Sequence, residues 1–348
     1  MKKIYVAGGY GSADDPTIAL LEFDTDTGLL RKISSLSGIP NASFIAQKQT
    51  CLLSINESGP DSSLTVVELR DGIFGETVKI PFPGIDPCHI STSKVNDEIA
   101  VADYSSGDVA IFKNLDAFKS GISQIINFEG SGPDGRRQKS SHAHCALFSH
   151  DGTKIYVCDL GSDRIHILSK KEGTFVHEVS VVVPPGSGPR MMVLDADGKT
   201  GYVICELSGK VLVLDLSEPV PMITQEVTAD RWTSHGAGDV RLSPDGRYLY
   251  ASVRLKNDGI AIFSVDSKSG FLSEVGYQPT GKHPRNFQIT SDGGYMLVAC
   301  RDSDSIEVYR RNPSTGLLFP VSVCEGIPRV VCLTELKDSK DYKIICAC

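Results

Sequence analysis

Two histidines one residue apart, His142 and His144 in SHAHCALFSHDG, have a type and spacing that could do chemistry. An imidazole can accept or donate a proton near neutral pH, whereas two imidazoles on one strand face could instead hold a metal ion. Arginines stand in comparable settings, namely Arg190 in GSGPRMM, Arg254 in LYASVRL and Arg285 in KHPRN. Their guanidinium groups can bind carboxylate or phosphate through paired hydrogen bonds and can stabilise charge on a carbonyl oxygen. These residues indicate proton transfer on an anionic substrate if the fold brings them together.

The elements that would position these residues form a repeat. An apolar run ending at a turn, as in DVRLSPDG, is followed by a second strand-like run, as in RYLYASVR, and usually by two more. The unit recurs about every 47 residues. Each unit predicts a four-stranded antiparallel sheet of short strands, which is one blade of a β-propeller.

Six units are complete or nearly so, and the two ends of the chain supply a seventh. IYVAGG, ALLEFD and LLRKIS match the second to fourth strands of a blade, and GIPRVVCLTEL matches a first strand. We therefore predict an all-β, seven-bladed β-propeller of four-stranded antiparallel blades, with the ring closed by N- and C-terminal strands that share one blade. Residues 1–336 form this single domain, and residues 337–348 have no place in the count.

Propeller geometry brings the start of each first strand and the end of each second strand to the same mouth of the central channel. Counting five residues back from the polar turn residue of each first strand aligns one set: Cys88, His144, Arg190, Gly238, Arg285 and Arg329. The ends of second strands add a further set: Glu57, Glu206, Arg254 and Arg301. His144 and Glu206 are the natural proton carriers, and the arginines would hold the anion. Alternatively, these charges are solvated or pair with one another, as at the mouth of a propeller that only binds proteins.

Three more residues are candidates for substrate contact, each with a structural alternative. Glu57 ends a second strand at the same mouth, and His89 in PCHIS lies one place away from the register of His144. Arg285 could instead form a salt bridge between adjacent blades. We keep all three as candidate substrate-binding residues.

A metal site at His142 and His144 is the rival interpretation of the opening motif. We expect the strand to begin at about Ala143, which leaves His142 in the preceding loop. Arginines crowd the same mouth and no carboxylate occupies a matching ligand position, which disfavours a cation. The sequence therefore predicts neither a metal nor a cofactor.

Composition excludes several classes of partner. The formal net charge is −8, without runs of lysine or arginine, so a nucleic-acid partner is not expected. The apolar stretch near the N-terminus is too short for a signal peptide, and no long apolar segment predicts a membrane span. Most of the ten cysteines lie in apolar strand-like runs, where free thiols pack as small hydrophobes. We predict a cytoplasmic protein without a membrane partner.

An ordered set of stretches resembles the seven-bladed propeller lactonase family. They are FDTDTGLL, LLSINE, PCHISTS, SHAHCALFSHDG, GSGPRMMVLDADGKTGYVICEL, RLSPDGRYLYASVR and GKHPRNFQITSDGGYMLVACRDSDSIEVY. By this resemblance the family's second His-x-His histidine falls on His144 and its Gly-Pro-Arg arginine on Arg190. Its Asn-Glu-Leu glutamate falls on Glu206, and its Ser-Asn-Arg arginine falls on Arg254.

The resemblance implies metal-free acid/base hydrolysis of a small anionic lactone or sugar phosphate. The expected substrate is 6-phosphogluconolactone of the pentose phosphate pathway, and the alternatives are a carboxy-muconate-type cycloisomerase or lactonase and a non-catalytic scaffold. The chain departs from the family pattern at Met191, Cys205 and Val253, where the family often has histidine, asparagine and asparagine. These departures keep the four charged groups but leave the substrate open.

Overall fold

The computed structural model describes residues 1–337 except residues 71, 83 and 122. These residues form seven four-stranded antiparallel sheets. The first fourteen strands are β1 Lys2–Gly9, β2 Ile18–Asp24, β3 Leu29–Leu36, β4 Ile45–Lys48, β5 Cys51–Asn56, β6 Ser63–Arg70, β7 Ile73–Pro81, β8 Pro87–Thr92, β9 Ile99–Asp103, β10 Asp108–Phe112, β11 Gln124–Asn127, β12 Ala143–Phe148, β13 Lys154–Asp159 and β14 Arg164–Lys171. The other fourteen are β15 Thr174–Val182, β16 Pro189–Leu194, β17 Thr200–Cys205, β18 Lys210–Asp215, β19 Met222–Thr228, β20 Ala237–Leu242, β21 Tyr248–Val253, β22 Gly259–Val265, β23 Leu272–Pro279, β24 Pro284–Ile289, β25 Tyr295–Cys300, β26 Ser305–Arg311, β27 Leu318–Glu325 and β28 Val330–Glu335.

Each sheet is one blade of a propeller, numbered here from the N-terminus. Blade 1 contains β28 and β1 to β3, and blades 2 to 7 contain β4 to β7, β8 to β11, β12 to β15, β16 to β19, β20 to β23 and β24 to β27. A short helix, α1 Leu115–Lys119, and two 3₁₀ turns, Gly59–Asp61 and Arg301–Ser303, lie between strands. In the part of the chain that the structure describes, no helix is long and apolar enough to cross a membrane.

The two ends of the chain meet in blade 1. Strand β28 pairs antiparallel with β1, so that Leu333 lies opposite Ala7 and Thr334 opposite Val6. The ring is therefore closed by hydrogen bonds between the terminal strands rather than by a covalent link. This confirms the predicted seven-bladed fold and its mode of closure.

Burial along the strands explains the hydrophobic pattern of the repeat. The six residues of β21 are all buried, because neighbouring blades cover both faces of an inner strand. The outermost strand β19 instead alternates exposed and half-buried residues. Apolar clusters fill the spaces between adjacent blades, and the inner strands surround a narrow central channel.

Turn residues fix the ends of these strands. Gly152, in the turn between β12 and β13, has a φ of +68°, and an added Cβ would lie 2.7 Å from a methyl carbon of Val95. Glycine adopts this left-handed conformation without steric cost and leaves room for the adjacent blade. The eight cysteines among the described residues are buried and form no disulfide.

The predicted boundary at residue 336 lies beside the ring. The amide of Leu336 donates to the carbonyl oxygen of Ile4, and Lys337 exchanges two hydrogen bonds of 2.8 Å with Gln47. The remainder of the predicted tail, residues 338–348, lies outside the described residues. We propose that residues 1–336 form one domain, which requires that removal of residues 1–30 abolish cooperative unfolding; unchanged melting would contradict it.

Candidate active site

A β-bulge marks the start of the inner strand in six of the seven blades described. A bulge sets two residues against one of the paired strand and re-aims a side chain. The bulged residues are Cys88, His144, Arg190, Gly238 with Asp239, Arg285 and Val331. All except Gly238 line a single cavity of about 20 Å³ in the central channel. The repeat therefore delivers one side chain from each of six blades to the same point.

The position predicted for Arg329 is wrong. The bulge of blade 1 falls at Val331, and Arg329 precedes β28 and is exposed at the rim. The register was counted back from Thr334, which lies inside β28 instead of in a turn. Since the partner strand β1 comes from the other end of the chain, no hairpin turn joins β28 to its partner and anchors such a count.

Glu206 is the centre of a buried ionic cluster. It directly follows β17 and is 7% exposed. Its Oε2 accepts a hydrogen bond of 2.7 Å from Nε of Arg190 and lies 3.3 Å from Nη2 of Arg254. Its Oε1 accepts from Nη2 of Arg137 at 2.7 Å. Burial alone would raise the pKa of Glu206, but Arg254 and Arg190 hold it well below its usual value, so this carboxylate stays ionised.

Backbone carbonyl groups fix the two buried arginines. Arg254 donates from Nε to the carbonyl oxygen of Gly236 at 2.6 Å, and from Nη2 to that of Ala237 at 2.9 Å. Arg190 donates from Nη1 to the carbonyl oxygen of Gly238 at 2.6 Å. The Nη2 group of Arg190 makes no hydrogen bond to any described residue. Arg190 therefore keeps donors for a ligand, whereas every nitrogen of Arg254 already has a partner.

His283 supplies the last partner of Arg254. Nη1 of Arg254 lies 3.1 Å from Nε2 of His283. Burial and the charge of Arg254 lower the pKa of His283 to about 3, so its imidazole is neutral and Nε2 can accept.

His144 is buried beside this cluster in a form that can accept a proton. Burial and the charge of Arg190 lower its pKa well below the usual value, which keeps the imidazole neutral at pH 7. Nδ1 of His144 has no hydrogen-bond partner among the described residues. Among the described residues, no hydrogen bond joins His144 to Glu206. The negative charge of Glu206 acts on His144 only through space, and it opposes part of the lowering of the His144 pKa. The ring is available to a ligand in the cavity.

Tyr104 and His142 support His144 from blade 3 and from the loop before β12. The ring of Tyr104 stacks on His142 at 4.4 Å and meets His144 edge-on at 5.7 Å. Nδ1 of His142 lies 2.7 Å from the carbonyl oxygen of Tyr104. Since β12 begins at Ala143, His142 lies in the loop, as predicted.

Arg137 completes the contacts of this side of the mouth. Its Nη2 donates to the Tyr104 hydroxyl at 3.2 Å as well as to Glu206. It thereby links blade 3 to the ionic cluster of blade 5.

A second group at the same mouth surrounds Tyr10. Its hydroxyl donates to Oε2 of Glu57 at 2.8 Å, and the guanidinium carbon of Arg285 lies 5.4 Å from its ring centre. Glu57 and Arg285 are thus together, as expected of neighbours at one rim. Arg285 also belongs to the His144 cavity and contributes to lowering the pKa of His144.

His89 lies one residue further along β8 than Cys88 and does not line the cavity at His144. It packs against Phe44, with ring centres 4.6 Å apart, and Nε2 lies 3.9 Å from the sulfur of Cys145. It lines a separate cavity of about 270 Å³ with residues such as Thr92 and Arg241. The structure does not bring His89 to the Glu206 cluster.

The described residues contain no cluster of metal ligands. Across residues 1–337, with the three gaps given above, no group of three or more histidine, cysteine, aspartate or glutamate side chains is placed to hold an ion.

Several residues of the site escaped the sequence analysis. Arg137 comes from a loop. Tyr10 and Tyr104 directly follow the second strands β1 and β9, and His283 directly precedes the first strand β24. Arg137 did leave a signal, because SGPDGRRQKS is the insertion that makes one step of the repeat longer. An insertion of this length at the mouth side of a blade can reach the channel.

Fold and site together define a seven-bladed propeller whose channel mouth presents a neutral imidazole and several guanidinium groups. The chain belongs to the family described as Lactonase, 7-bladed beta-propeller, whose model matches residues 4–334.

Individual relatives are similar over nearly the whole chain. A Formosa agariphila protein named 6-phosphogluconolactonase is 33% identical over 317 residues, which cover 86% of this chain and 90% of that protein. A crystal structure from Bacteroides fragilis, described as a proposed 6-phosphogluconolactonase, is 34% identical with a TM-score of 0.87, covering 97% of this chain and 98% of that one. The periplasmic gluconolactonase of Pseudomonas aeruginosa is 26% identical with a TM-score of 0.84, covering 97% and 99%.

Proposed function

We propose that this protein hydrolyses a lactone, and that the lactone is 6-phosphogluconolactone. The observation that carries the proposal is the shared cavity, in which a buried neutral imidazole stands beside guanidinium donors. Membership of the lactonase family and the name of the Formosa agariphila relative support the reaction and the substrate. The product of the reaction is 6-phosphogluconate.

His144 is the proton carrier in this mechanism. A water molecule attacks the lactone carbonyl carbon and gives a proton to the imidazole as the new C–O bond forms. The ring C–O bond then breaks, and the imidazolium returns the proton to the departing ring oxygen. A cavity of about 20 Å³ has room for about one water molecule beside His144. The overall change is lactone plus water to hydroxy acid, without a redox step.

Arg190 stabilises the charge that develops on the carbonyl oxygen. It lines the cavity with His144 and retains Nη2 for a ligand. A donor held in place before the reaction stabilises an oxyanion without the cost of reorganisation. Its immobility comes from Glu206 and the carbonyl oxygen of Gly238.

Glu206 acts as a positioning residue. The sequence predicts it as a proton carrier together with His144, but three guanidinium groups surround its carboxylate. Both of its oxygens already accept hydrogen bonds from Arg137 and Arg190, whereas Nδ1 of His144 has no partner among the described residues, so His144 is better placed to take a proton from water. It holds Arg137, Arg190 and Arg254 in one arrangement.

Hydrolysis of an unphosphorylated sugar lactone is the second candidate, favoured by the similarity to the periplasmic gluconolactonase. Initial rates with 6-phosphoglucono-δ-lactone and glucono-δ-lactone, measured by acid release with spontaneous hydrolysis subtracted, separate the two. We expect a higher kcat/KM for the phosphorylated lactone and no loss of rate with EDTA. Equal efficiency would remove the sugar-phosphate assignment. If neither lactone is hydrolysed, the remaining candidates are the muconate-type cycloisomerase or lactonase reaction and a non-catalytic scaffold.

The remaining expectations concern partners and location. We propose that the ligand is a small anion and that neither nucleic acid nor a membrane is a partner, supported by the net charge of −8 without basic runs. A cytoplasmic location is supported by the buried free thiols, which are typical of a reducing compartment.

A further inference from the structure

Two arginines at the mouth share one aromatic ring. The guanidinium carbons of Arg285 and Arg329 lie 5.4 Å and 5.5 Å from the ring centre of Tyr10. Both distances are within the range of a cation–π interaction. The two cations therefore lie close together at the rim, on a platform that follows β1.

These two arginines lack the carboxylate partners that the other arginines of the mouth possess. Arg137, Arg190 and Arg254 share Glu206, and Arg301 pairs with Asp302 at 2.7 Å. The guanidinium groups of Arg285 and Arg329 make no ion pair or hydrogen bond with the described residues. The nearby carboxylates are Glu57, one oxygen of which accepts the Tyr10 hydroxyl and which acts on Arg285 through space, and Asp302, which acts on Arg329 in the same way. Since neither carboxylate forms an ion pair with the two guanidinium groups, the pair offers hydrogen-bond donors to a ligand.

The arginine side chains become more exposed to solvent from the cavity to the rim. Arg190 is 4% exposed, Arg285 is half-buried and Arg329 is exposed. Arg285 lines the same cavity as His144 and Arg190, so it joins the two levels. An anion at the rim could therefore belong to a molecule whose reacting carbonyl group lies at His144.

The backbone holds Arg329 in place even though its side chain is exposed. Its φ is +44°, in the left-handed region that residues other than glycine rarely adopt. Its amide donates to Oδ1 of Asp304 at 2.7 Å, and its carbonyl oxygen accepts from the amide of Tyr10 at 3.2 Å. The second hydrogen bond ties Arg329 directly to the ring platform.

We propose that Arg285 and Arg329, with Tyr10 as their platform, form the subsite that binds the phosphate group of a phosphorylated lactone. Guanidinium groups bind phosphate oxygens through paired hydrogen bonds, and two of them match the charge of a phosphate dianion. This assignment rests on the proposed function and divides the mouth into a buried reaction centre and a phosphate-selecting rim. Selectivity for the phosphorylated lactone then resides in residues that do not take part in proton transfer.

The test compares two lactones with variants of the rim. Arg329→Gln should raise KM for 6-phosphoglucono-δ-lactone about tenfold, as expected for loss of a charge-assisted contact, and leave kcat within about twofold. KM for glucono-δ-lactone should not change. Arg285→Gln should also raise KM for 6-phosphoglucono-δ-lactone more than KM for glucono-δ-lactone, but its kcat should fall with both lactones because Arg285 lines the His144 cavity. Arg329→Lys should fall between Arg329→Gln and the wild type. The wild-type KM for the phosphorylated lactone should also rise with ionic strength, and less so in Arg329→Gln.

Arg310→Gln is the matched control. Arg310 is exposed and lies 5.8 Å from the ring centre of Tyr295, so it has the same kind of contact away from the mouth. It should behave as the wild type with both lactones. Equal KM increases for both lactones in Arg329→Gln, or the same effect in Arg310→Gln, would overturn the subsite.

A binding measurement keeps this proposal separate from the reaction. Calorimetry with 6-phosphogluconate, gluconate and inorganic phosphate should show wild-type binding of 6-phosphogluconate that is tighter than that of gluconate and weakened about tenfold in Arg329→Gln. If the wild type opens neither lactone, the proposed function fails, and this arm alone decides the subsite. Equal affinity for 6-phosphogluconate and gluconate would then reject it. Binding of inorganic phosphate as tight as 6-phosphogluconate would replace the lactone subsite with a free-phosphate site.

Discussion

Blades 3 and 4 lie side by side around the channel and use the same register. Pro87 is paired with Asp103 in blade 3, as Ala143 is paired with Asp159 in blade 4, and each inner strand has a bulge at the next position. The bulge places Cys88 in the cavity from blade 3 and His144 from blade 4. Burial raises the pKa of the Cys88 thiol, so it stays protonated, whereas the His144 imidazole can accept a proton.

The paired carboxyl groups differ just as strongly. Asp159 accepts hydrogen bonds from the Ser141 hydroxyl at 2.7 Å, the His142 amide at 2.7 Å and Nε2 of His166 at 3.2 Å. Although burial raises its pKa, His166 and the hydroxyl groups lower the pKa of Asp159 to about 2. It is thus an ionised carboxylate with a full set of donors.

Asp103 is fully buried, and neither of its oxygens has a donor among the described residues. By register, Ile85 and Ala110 stand where Ser141 and His166 stand in blade 4, and Asp108 is its cross-strand neighbour. Burial and Asp108 raise the pKa of Asp103 to about 9. Two blades with the same backbone register therefore differ at this position. Blade 4 has an ionised carboxylate with hydrogen-bond donors, and blade 3 has a protonated carboxyl group, because the side chains around each aspartate differ.

The largest expected effect contrasts the two bulged residues. His144→Gln should lower kcat by roughly 10²- to 10⁴-fold, the usual contribution of a general base, with KM little changed. Cys88→Ala should lower kcat by less than about threefold, since a protonated thiol supplies no base. Steady-state kinetics with thermal melting as a folding control measure both. Full kcat in His144→Gln would make the histidine structural.

The pH dependence of the reaction should report the same imidazole. Because the pKa of His144 is lowered, the acid limb of kcat/KM should lie below pH 6.5, and activity should fall only when the ring becomes protonated. A slope of about tenfold per pH unit is expected on that limb. Cys88→Ala should retain the limb. A limb above pH 6.5 in the wild type would contradict the lowered pKa.

Replacement of each buried carboxyl group by an amide should change the free energy of unfolding in opposite directions. Asp159→Asn should reduce the free energy of unfolding by about 2 kcal/mol at pH 8, because hydrogen bonds to a charged group are lost. Asp103→Asn should increase it by several kcal/mol, because folding of the wild type at pH 8 requires uptake of a proton, which costs about 1.4 kcal/mol per pH unit above the unfolded pKa. Denaturant unfolding of both variants gives the comparison. If both variants were destabilised by a similar amount, Asp103 and Asp159 would not differ in protonation.

The stability of the wild type should depend on pH through Asp103. Because the pKa of Asp103 is about 9 in the folded state and 3.8 in the unfolded state, this residue lowers the free energy of unfolding progressively as the pH rises through that interval. The advantage of Asp103→Asn should therefore shrink toward zero as pH falls to about 4. A difference between variant and wild type that is constant from pH 4 to pH 9 would rule out the raised pKa.

The smallest expected effect concerns the residues after the paired carboxyl groups, Tyr104 in blade 3 and Leu160 in blade 4. Tyr104→Phe removes the acceptor of Arg137 but keeps the ring against His142 and His144, so kcat/KM should fall about fivefold, as for one hydrogen bond. Tyr202→Phe is a control, since that hydroxyl donates to Gly270 away from the mouth. Equal effects of the two would remove Tyr104 from the site.

The sequence placed His144, Arg190 and Glu206 at one mouth because each occupies the same position in a repeated strand pair. It gave no basis for Arg137, which lies in an insertion between repeats. Tyr10 follows β1 as Glu206 follows β17, and His283 precedes β24 as His142 precedes β12, so the repeat gives their positions, but their residue types alone did not mark them as part of the site. Arg329 was assigned to the wrong level because β28 pairs with β1 from the other end of the chain, so no hairpin joins the two strands and fixes the count. The repeat thus predicts positions only where strands and turns recur.

What the sequence determined by itself was the number of blades, their strand order and the closure of the ring, because a repeat of about 47 residues, made of apolar runs bounded by polar turns, can be read along the chain. Tertiary structure alone decided the protonation of the site. Burial of His144 beside Arg190 keeps it neutral, and three guanidinium groups around Glu206 keep it charged. Such shifts arise from distances between residues of different blades and from exclusion of water, and neither is written in any one stretch of the sequence.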